Sequence, residues 1–491
     1  MVQLKQQRLT MTFHGIDAVF LYPNPPKLHN YSCKNHNKQS SMKQKKGNPM
    51  LRNLLFRRTA ILLMVFLFSM ADMKFKTLSG PIPVKMFEYK KVSQKAYFGA
   101  GKGYNLIVVQ LESFQNFLVN LSVQGQEVTP NLNKLAAKSF YFPNVFSQIG
   151  RGNTSDAEFT SNTSIYPVGD PAMSSRYADR DLPSLAKLLH AKGYIANTFH
   201  VNEVSFWNRD RLYPALGFDK YYDKPYFKQE IFNRYGASDE ELYTVAIEKL
   251  QSLHRNNKLF YAQLVTVSSH SPFNIPKASR RLKLNPDLNG KLLGNYLTAV
   301  NYADYALGTF IEKLKHAGLW NQSVLVVYGD HFGLSKKKYN PEKISQTFGI
   351  RYHKQISTLN IPLLIHLPGE HSGQRVELTG GQTDILPTIA NLMGIDLKSL
   401  GFTAFGQDLL NTKHNTIGVR YYLPSGSFFN DEILFIPGKK GFEDGTATSI
   451  KNFKKIKNIA PYRTEYEEMI KRMKQSDKYV KQLPVQVKLE P

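Results

Sequence analysis

Four apolar runs in this sequence lead into a residue that can hold a metal or move a proton. Asn105–Leu111 is followed by Glu112, Tyr194–Phe199 by His200, Leu259–Val267 by Ser268-Ser-His270, and Ser323–Tyr328 by Gly329-Asp330-His331. Carboxylate oxygens with an imidazole nitrogen suit Zn, Mn or Mg, and a set rich in carboxylates leans to Mn or Mg. Taken singly, each residue reads as well as a helix cap or a histidine satisfied in a turn. Four of them at the ends of four runs point to one shared site.

The segment Gly150-Arg-Gly-Asn-Thr-Ser-Asp-Ala-Glu158 offers a nucleophile. Ser155-Asp-Ala-Glu158 matches the S-x-x-E capping box, so a helix is expected to start there with Thr154 just ahead of it. Free N–H groups and the helix dipole at such a start favour a phosphate and an alkoxide. Gly150 and Gly152 are expected to let the backbone approach a ligand. A threonine hydroxyl is a weak nucleophile at neutral pH, and metal coordination can activate it without a neighbouring base. A plain helix-entry threonine is the alternative; the strand-end carboxylates and the glycines argue against it. Phe206-Trp-Asn-Arg209 follows the His200 run. Arg209 offers a planar fork for a phosphate and Trp207 a flat wall for a glycerol-like group, against the alternative of a surface loop with one packed tryptophan.

These residues need a scaffold that gathers strand ends. Between the apolar runs lie helical stretches at Thr129–Lys138, Leu182–Lys192, Glu240–His254 and Tyr296–Ala317. Strands alternating with helices predict an α/β fold, a mainly parallel sheet with helices on both faces, over residues 104–411. In such sheets ligands bind outside the carboxyl ends of the strands. Thr416–Tyr422 and Phe428–Phe435, separated by Pro424-Ser-Gly426, predict a small antiparallel β subdomain, and residues 462–482 a charged surface helix, within 412–491.

The composition, 42% hydrophobic and 12% aromatic, supports a sizeable core and excludes global disorder. The formal net charge is +26; residues 1–58 supply +10 of it, leaving +16 for the rest. A basic surface suits lipid head groups or a wall polymer, and no nucleic-acid motif is present. The single cysteine, Cys33, precludes an internal disulfide and any cysteine chemistry in the catalytic part. Residues 1–49 are polar and basic and read as disordered or as a mis-assigned extension. From Met50, arginines 52, 57 and 58 precede an apolar run, Ala60–Ala71, that ends in Ser69-Met-Ala71. That is the pattern of a signal peptide or a single membrane anchor, 50–71, with a buried core helix as the alternative. Residues 72–103 read as a basic, flexible linker ending in Gly99-Ala-Gly-Lys-Gly103. The expected placement is at the cell membrane with the catalytic part outside, or secreted after cleavage near Ala71.

With these motifs assembled, the stretch from Asn105 to Asn411 resembles the lipoteichoic acid synthase family of the alkaline-phosphatase/sulfatase superfamily. The resemblance rests on Leu111-Glu-Ser113, Gly152-Asn-Thr-Ser-Asp-Ala-Glu158, Thr198-Phe-His200, Phe206-Trp-Asn-Arg209, Ser268-Ser-His-Ser-Pro-Phe273 and Tyr328-Gly-Asp-His331, in the family's order. Ile361–His366 and Thr383–Thr388 resemble the family's closing strand and helix. It implies one divalent ion, typically manganese with magnesium the other candidate, held by Glu112, Thr154, Asp330 and His331. Thr154 is then the nucleophile, and Trp207, Arg209, His270 and His200 contact the glycerophosphate group. The implied reaction takes phosphatidylglycerol, forms a glycerophosphoryl-threonine, releases diacylglycerol, and passes the group to a glycolipid or a polyglycerolphosphate chain. Two features depart from the family: five membrane-spanning helices usually precede this domain, and Asn153 stands where the best-known synthases carry lysine. A sulfatase needs a Cys or Ser in a C/S-x-P/A-x-R setting, which the Thr154 segment lacks. A metal phosphodiesterase or phosphatase of the same fold, and a non-catalytic wall- or lipid-binding protein, are the competing readings.

Overall fold

The computed structural model describes residues 10–13, 16–19, 95–228, 231–334, 339–369 and 372–486. The chain divides into two compact units, Met1–Gly80 and Pro81–Pro491. In the first, β1 (Thr10–Phe13) pairs antiparallel with β2 (Ile16–Val19), where the sequence reading expected no order. β-Branched residues in both short runs suit a strand. The expected signal peptide or anchor at 50–71 lies outside the described residues. Among the described residues, no helix is long and apolar enough to cross a membrane.

The second unit is built on a nine-stranded sheet. Its first strand, β3 (Asn105–Leu111), is followed by a small separate hairpin of β4 (Ser122–Val123) and β5 (Gln126–Glu127). The remaining strands are β6 (Phe140–Phe146), β7 (Ile195–Phe199), β8 (Lys220–Tyr222), β9 (Phe260–Val265), β10 (Ser323–Gly329), β11 (Asn360–His366), β12 (Gln374–Arg375) and β13 (Gly380–Gly381). The order is β12-β6-β11-β10-β3-β9-β7-β8, with β13 also on β6. β11 runs against both its neighbours, and the other pairings are parallel.

Strand β3 is buried along its whole length, as a central parallel strand covered on both faces must be. Leu106 and Val108 join one core with Ala157, Leu185 and Ile389. Ile107, Val109 and Leu111 join the other with Leu132, Leu242 and Leu297. The helices carrying these residues are α1 (Pro130–Ala136), α2 (Thr154–Thr163), α3 (Leu185–His190), α4 (Asp239–Arg255), α5 (Leu292–His316) and α6 (Ile385–Leu392). β6 was not read from sequence. Pro143 interrupts its aromatic run, and it is accommodated where the pairing to β11 slips between Ile361 and Leu363.

The expected flexible linker is corrected at its end. Residues 95–103 form turns docked on the domain, with Gly99 N and Gly101 N donating to Asn391 O and Leu392 O. A side chain at Gly101 would meet Val324 Cγ2 at 2.8 Å, so glycine serves close packing there, not tether flexibility. At the other end, β14 (Thr416–Val419), β15 (Ser427–Asn430), β16 (Ile433–Gly438), β17 (Gly441–Ser449) and β18 (Lys455–Ile456) make an antiparallel meander. The run Phe428–Phe435, expected as one strand, is split between β15 and β16. The last helix, α7 (Arg463–Gln482), buries Met469, Met473 and Val480.

Candidate active site

Parallel pairing puts the central residues together. Gly329 of β10 lies in register with Leu111 of β3, so Glu112 and Asp330 leave adjacent strands side by side. β9 flanks β3, and β7 flanks β9. The chain leaving β9 contributes Thr266, whose hydroxyl accepts from Glu112 N at 2.9 Å, and then His270. β7 contributes His200. The four expected strand ends do converge on one edge.

Glu112, Asp330 and His331 are buried, and one ligand atom from each lies within 4.8 Å of the others. Thr154 Oγ1 donates to Glu112 Oε2 at 3.2 Å and sits 3.4 Å from His331 Nε2. Asp330 Oδ1 accepts from Ser113 N at 2.7 Å and His331 N at 2.6 Å. Asp330 Oδ2 is buried without a hydrogen-bond partner. Burial, and next the Glu112 carboxylate, push Asp330 well above the ordinary carboxylate range. Burial acts against ionised Glu112 too, but His270, His331 and the Ser113 hydroxyl outweigh it and hold Glu112 below its ordinary value. Two facing carboxylates with an orphaned oxygen and an imidazole nitrogen fit a divalent cation, which would take the place of the proton on Asp330.

All three histidines are oriented the same way. His200 Nδ1 faces Val265 O at 2.9 Å, His270 Nδ1 faces Ser271 O at 2.7 Å, and His331 Nδ1 faces Phe332 O at 3.1 Å. A carbonyl can only accept, so each proton sits on Nδ1 in the neutral ring and each Nε2 keeps a lone pair. His331 Nε2 lies 3.6 Å from Glu112 Oε1 and His270 Nε2 3.9 Å from it. Burial, then the Arg209 charge, lower His200 to about 3, so it stays neutral. The Tyr235 ring lies tilted against His270, with ring centroids 3.9 Å apart.

The nucleophile turn differs from expectation. α2 begins at Thr154 itself, with Asn153 as the capping residue and no side-chain cap bond, so the capping box does not form. Ser155 Oγ donates to Gly152 O, while Asp156 accepts from Gly150 N, Gly152 N and Met173 N. Burial lifts Asp156 to about 6 against these three donors. The glycines make room for Asp156: a side-chain carbon at Gly152 would meet Asp156 Oδ1 at 2.4 Å, and one at Gly150 would meet Gly169 O at 2.3 Å. From below, Gln110 Nε2 donates to Thr154 O at 3.1 Å. Asp156 and Gln110 were both missed from sequence. A polar Gln within the apolar run that follows Asn105 in β3 was the available signal.

Arg209 is also corrected. Its Nε and Nη2 bind Glu158 at 3.0 and 2.6 Å, both side chains are enclosed, and Tyr213 Oη donates to the same carboxylate at 2.7 Å. The fork expected to meet a phosphate is committed to Glu158, leaving Nη1, which donates to Phe206 O at 3.3 Å. Arg209 remains close enough to act on the charge states of His200 and Glu112. Trp207 is half-buried in a left-handed conformation, edge-on to Phe206, and the bonds of the cluster do not include it.

Comparison with known proteins gives the family. The family model described as Sulfatase matches residues 104–395. Lipoteichoic acid synthase 2 of Bacillus subtilis is 34% identical over 357 residues, covering 71% of this chain and 53% of the relative. The chain thus spans about half the length of the curated relatives it matches. The crystal structure of the lipoteichoic acid synthase LtaP from Listeria monocytogenes superposes with a TM-score of 0.77 at 39% identity, over 81% of this chain and 97% of that one. A protein in the alkaline phosphatase superfamily from Vibrio parahaemolyticus shares the fold, with a TM-score of 0.63 at 21% identity, over 81% of this chain and 92% of that one. The chain belongs to the sulfatase family, in its lipoteichoic acid synthase branch.

Proposed function

We propose that this chain is a divalent-metal-dependent phosphoglycerol transferase, with residues 104–411 as its catalytic domain, working on the outer side of a bacterial membrane. The observation that carries the reading is the Thr154 hydroxyl 3.2 Å from Glu112 Oε2, beside an Asp330 oxygen that no donor satisfies. Glu112, Thr154, Asp330 and His331 would hold the ion, manganese by preference and magnesium otherwise. When bound, it supplies Lewis acidity that lowers the pKa of a coordinated hydroxyl and offsets phosphate charge.

The donor is phosphatidylglycerol. Thr154 Oγ forms a bond to phosphorus as the bond from phosphorus to the diacylglycerol oxygen breaks. Glu112 Oε2 is placed to take the hydroxyl proton, since it already accepts that hydrogen bond. His270, on a half-buried ring, is placed to give the Nε2 proton of its imidazolium form to the departing oxygen, and the neutral Nε2 left behind then takes the proton of the acceptor hydroxyl. An acceptor hydroxyl then displaces Thr154 from phosphorus and regenerates its hydroxyl. The acceptor proposed is a glycolipid or a polyglycerolphosphate chain, in keeping with the names of the relatives. Trp207, the remaining edge of Arg209, and His200 Nε2 are the groups proposed to face the glycerophosphate. The basic charge of the chain suits a membrane carrying anionic lipid.

The test is the mass of Thr154-containing peptides after exposure of the protein to phosphatidylglycerol and manganese. A glycerophosphoryl adduct on Thr154 is expected. Turnover by a Thr154→Ala protein, with no adduct in the parent, would sink the reading.

A further inference from the structure

We infer that Tyr422, in the loop after β14, is a positioning residue for Thr154 and acts through Asn153; the inference rests on Thr154 being the nucleophile. Asn153 immediately precedes Thr154 and has φ 42° and ψ −106°. A side chain other than glycine avoids that conformation, and it persists only where neighbours enforce it. As the capping residue of α2, an asparagine would ordinarily turn its side chain onto the helix N–H groups, and here it makes no such bond. Its Oδ1 instead accepts from the Tyr422 hydroxyl at 2.5 Å. The bond comes from residue 422, far along the chain, and holds Asn153 in its unusual turn.

The neighbours of Tyr422 anchor it. Arg420 pairs with Asp477 at 2.6 and 2.8 Å and donates to Pro167 O. Gly169 lies against Tyr421, and its carbonyl accepts from Arg151 N at 2.7 Å. The Tyr422 ring stands edge-on to Phe332, 4.9 Å between centroids, and Phe332 follows His331. One side chain therefore touches both the turn that presents Thr154 and the loop that presents His331. Without the hydroxyl, Asn153 is free to relax to negative φ. That rotates the peptide leading into Thr154 and carries Oγ1 away from Glu112 and His331. The packing of the C-terminal sheet thereby sets the aim of a hydroxyl on the main sheet.

The test uses the full chain with phosphatidylglycerol in mixed micelles as the donor. Tyr422→Phe keeps the ring on Phe332 and removes only the hydroxyl. Its Tm and KM are expected to match the parent, while kcat falls about tenfold or more, the scale of a misplaced reacting group. Amide exchange at residues 151–155 is expected to speed up. Asn153→Gly tolerates positive φ without a brace. Adding Tyr422→Phe to Asn153→Gly is therefore expected to leave kcat unchanged. Parent-like kcat and exchange in Tyr422→Phe overturn the inference, as does an equal loss in the Asn153→Gly background. A Thr154→Ala protein that still turns over would sink the nucleophile reading instead, and the exchange rates of Tyr422→Phe would still decide whether the brace exists.

Discussion

Glu158 and Asp330 are both fully enclosed carboxylates, and their surroundings are opposite. Glu158, on the inner side of α2, is matched by Arg209 and Tyr213. Asp330, at the end of β10, keeps one oxygen with no donor and faces a second acid. A buried charge that the fold itself satisfies holds an element in place. A buried acid whose ionised form the fold does not satisfy resists charging in the free protein and is kept for something that binds. The contrast separates the floor of the site from its reactive edge.

The largest effect expected is on turnover. Thr154→Ala and Asp330→Asn should each lower it about a thousandfold or more, as for groups that act as a unit. Thr154→Ala should cost about 1 kcal/mol or less in stability, the scale of a helix-start side chain. Asp330→Asn should leave the metal-free Tm unchanged or higher, because burial and the facing Glu112 already oppose a charge on Asp330 without metal, and the amide carries none. A marked fall in its Tm by calorimetry would break the comparison.

Next comes the floor. Glu158→Gln or Arg209→Ala leaves one ion of a buried pair without its partner and should destabilise by about 3–5 kcal/mol, read in denaturant titrations. Parent-like stability would make the pair dispensable.

Chelation is the third test. Removing divalent metal should lower the Tm of the parent and leave that of Asp330→Asn unmoved, since ligands stabilise only the form that binds them. Equal shifts in the two proteins would place the ion elsewhere.

The smallest effect concerns His414, which lies 2.7 Å from Asp431 and 2.6 Å from Glu465 on α7. Burial disfavours its charge, but the bonds to Glu465 and Asp431 outweigh it and raise its pKa above the ordinary value. A raised pKa gives stability that is full below the unfolded value of about 6.5 and fades as pH climbs through the folded one. His414→Gln should flatten that decline, seen as a Tm against pH series. The side chain is 55% exposed, so the change should be slight.

The strand ends were legible because a buried parallel strand must be apolar, and a charged residue at its end stands out. The start of α2 was not. Ser155-x-x-Glu158 has the spacing of a capping box, but the cap is Asn153, two residues earlier, and Glu158 falls on the inward face against Arg209. Only the tertiary partner distinguishes the two registers. The docking of residues 95–103, and the bond from Tyr422 to Asn153, join segments hundreds of residues apart and leave no local pattern to read.

The pairing of Leu111 with Gly329 has one more consequence. Neighbouring strands lie roughly 4.7–4.9 Å apart, a spacing set by main-chain hydrogen bonds. The gap between the first acid and the second is therefore ruled by the backbone ladder, not by side-chain fit. Surface loops can diverge freely without retuning it. It can change only in whole steps, by a slip of register that would turn every side chain of a strand to the opposite face. A seat dimensioned in this way is either kept or lost, and drift has no intermediate size to offer it.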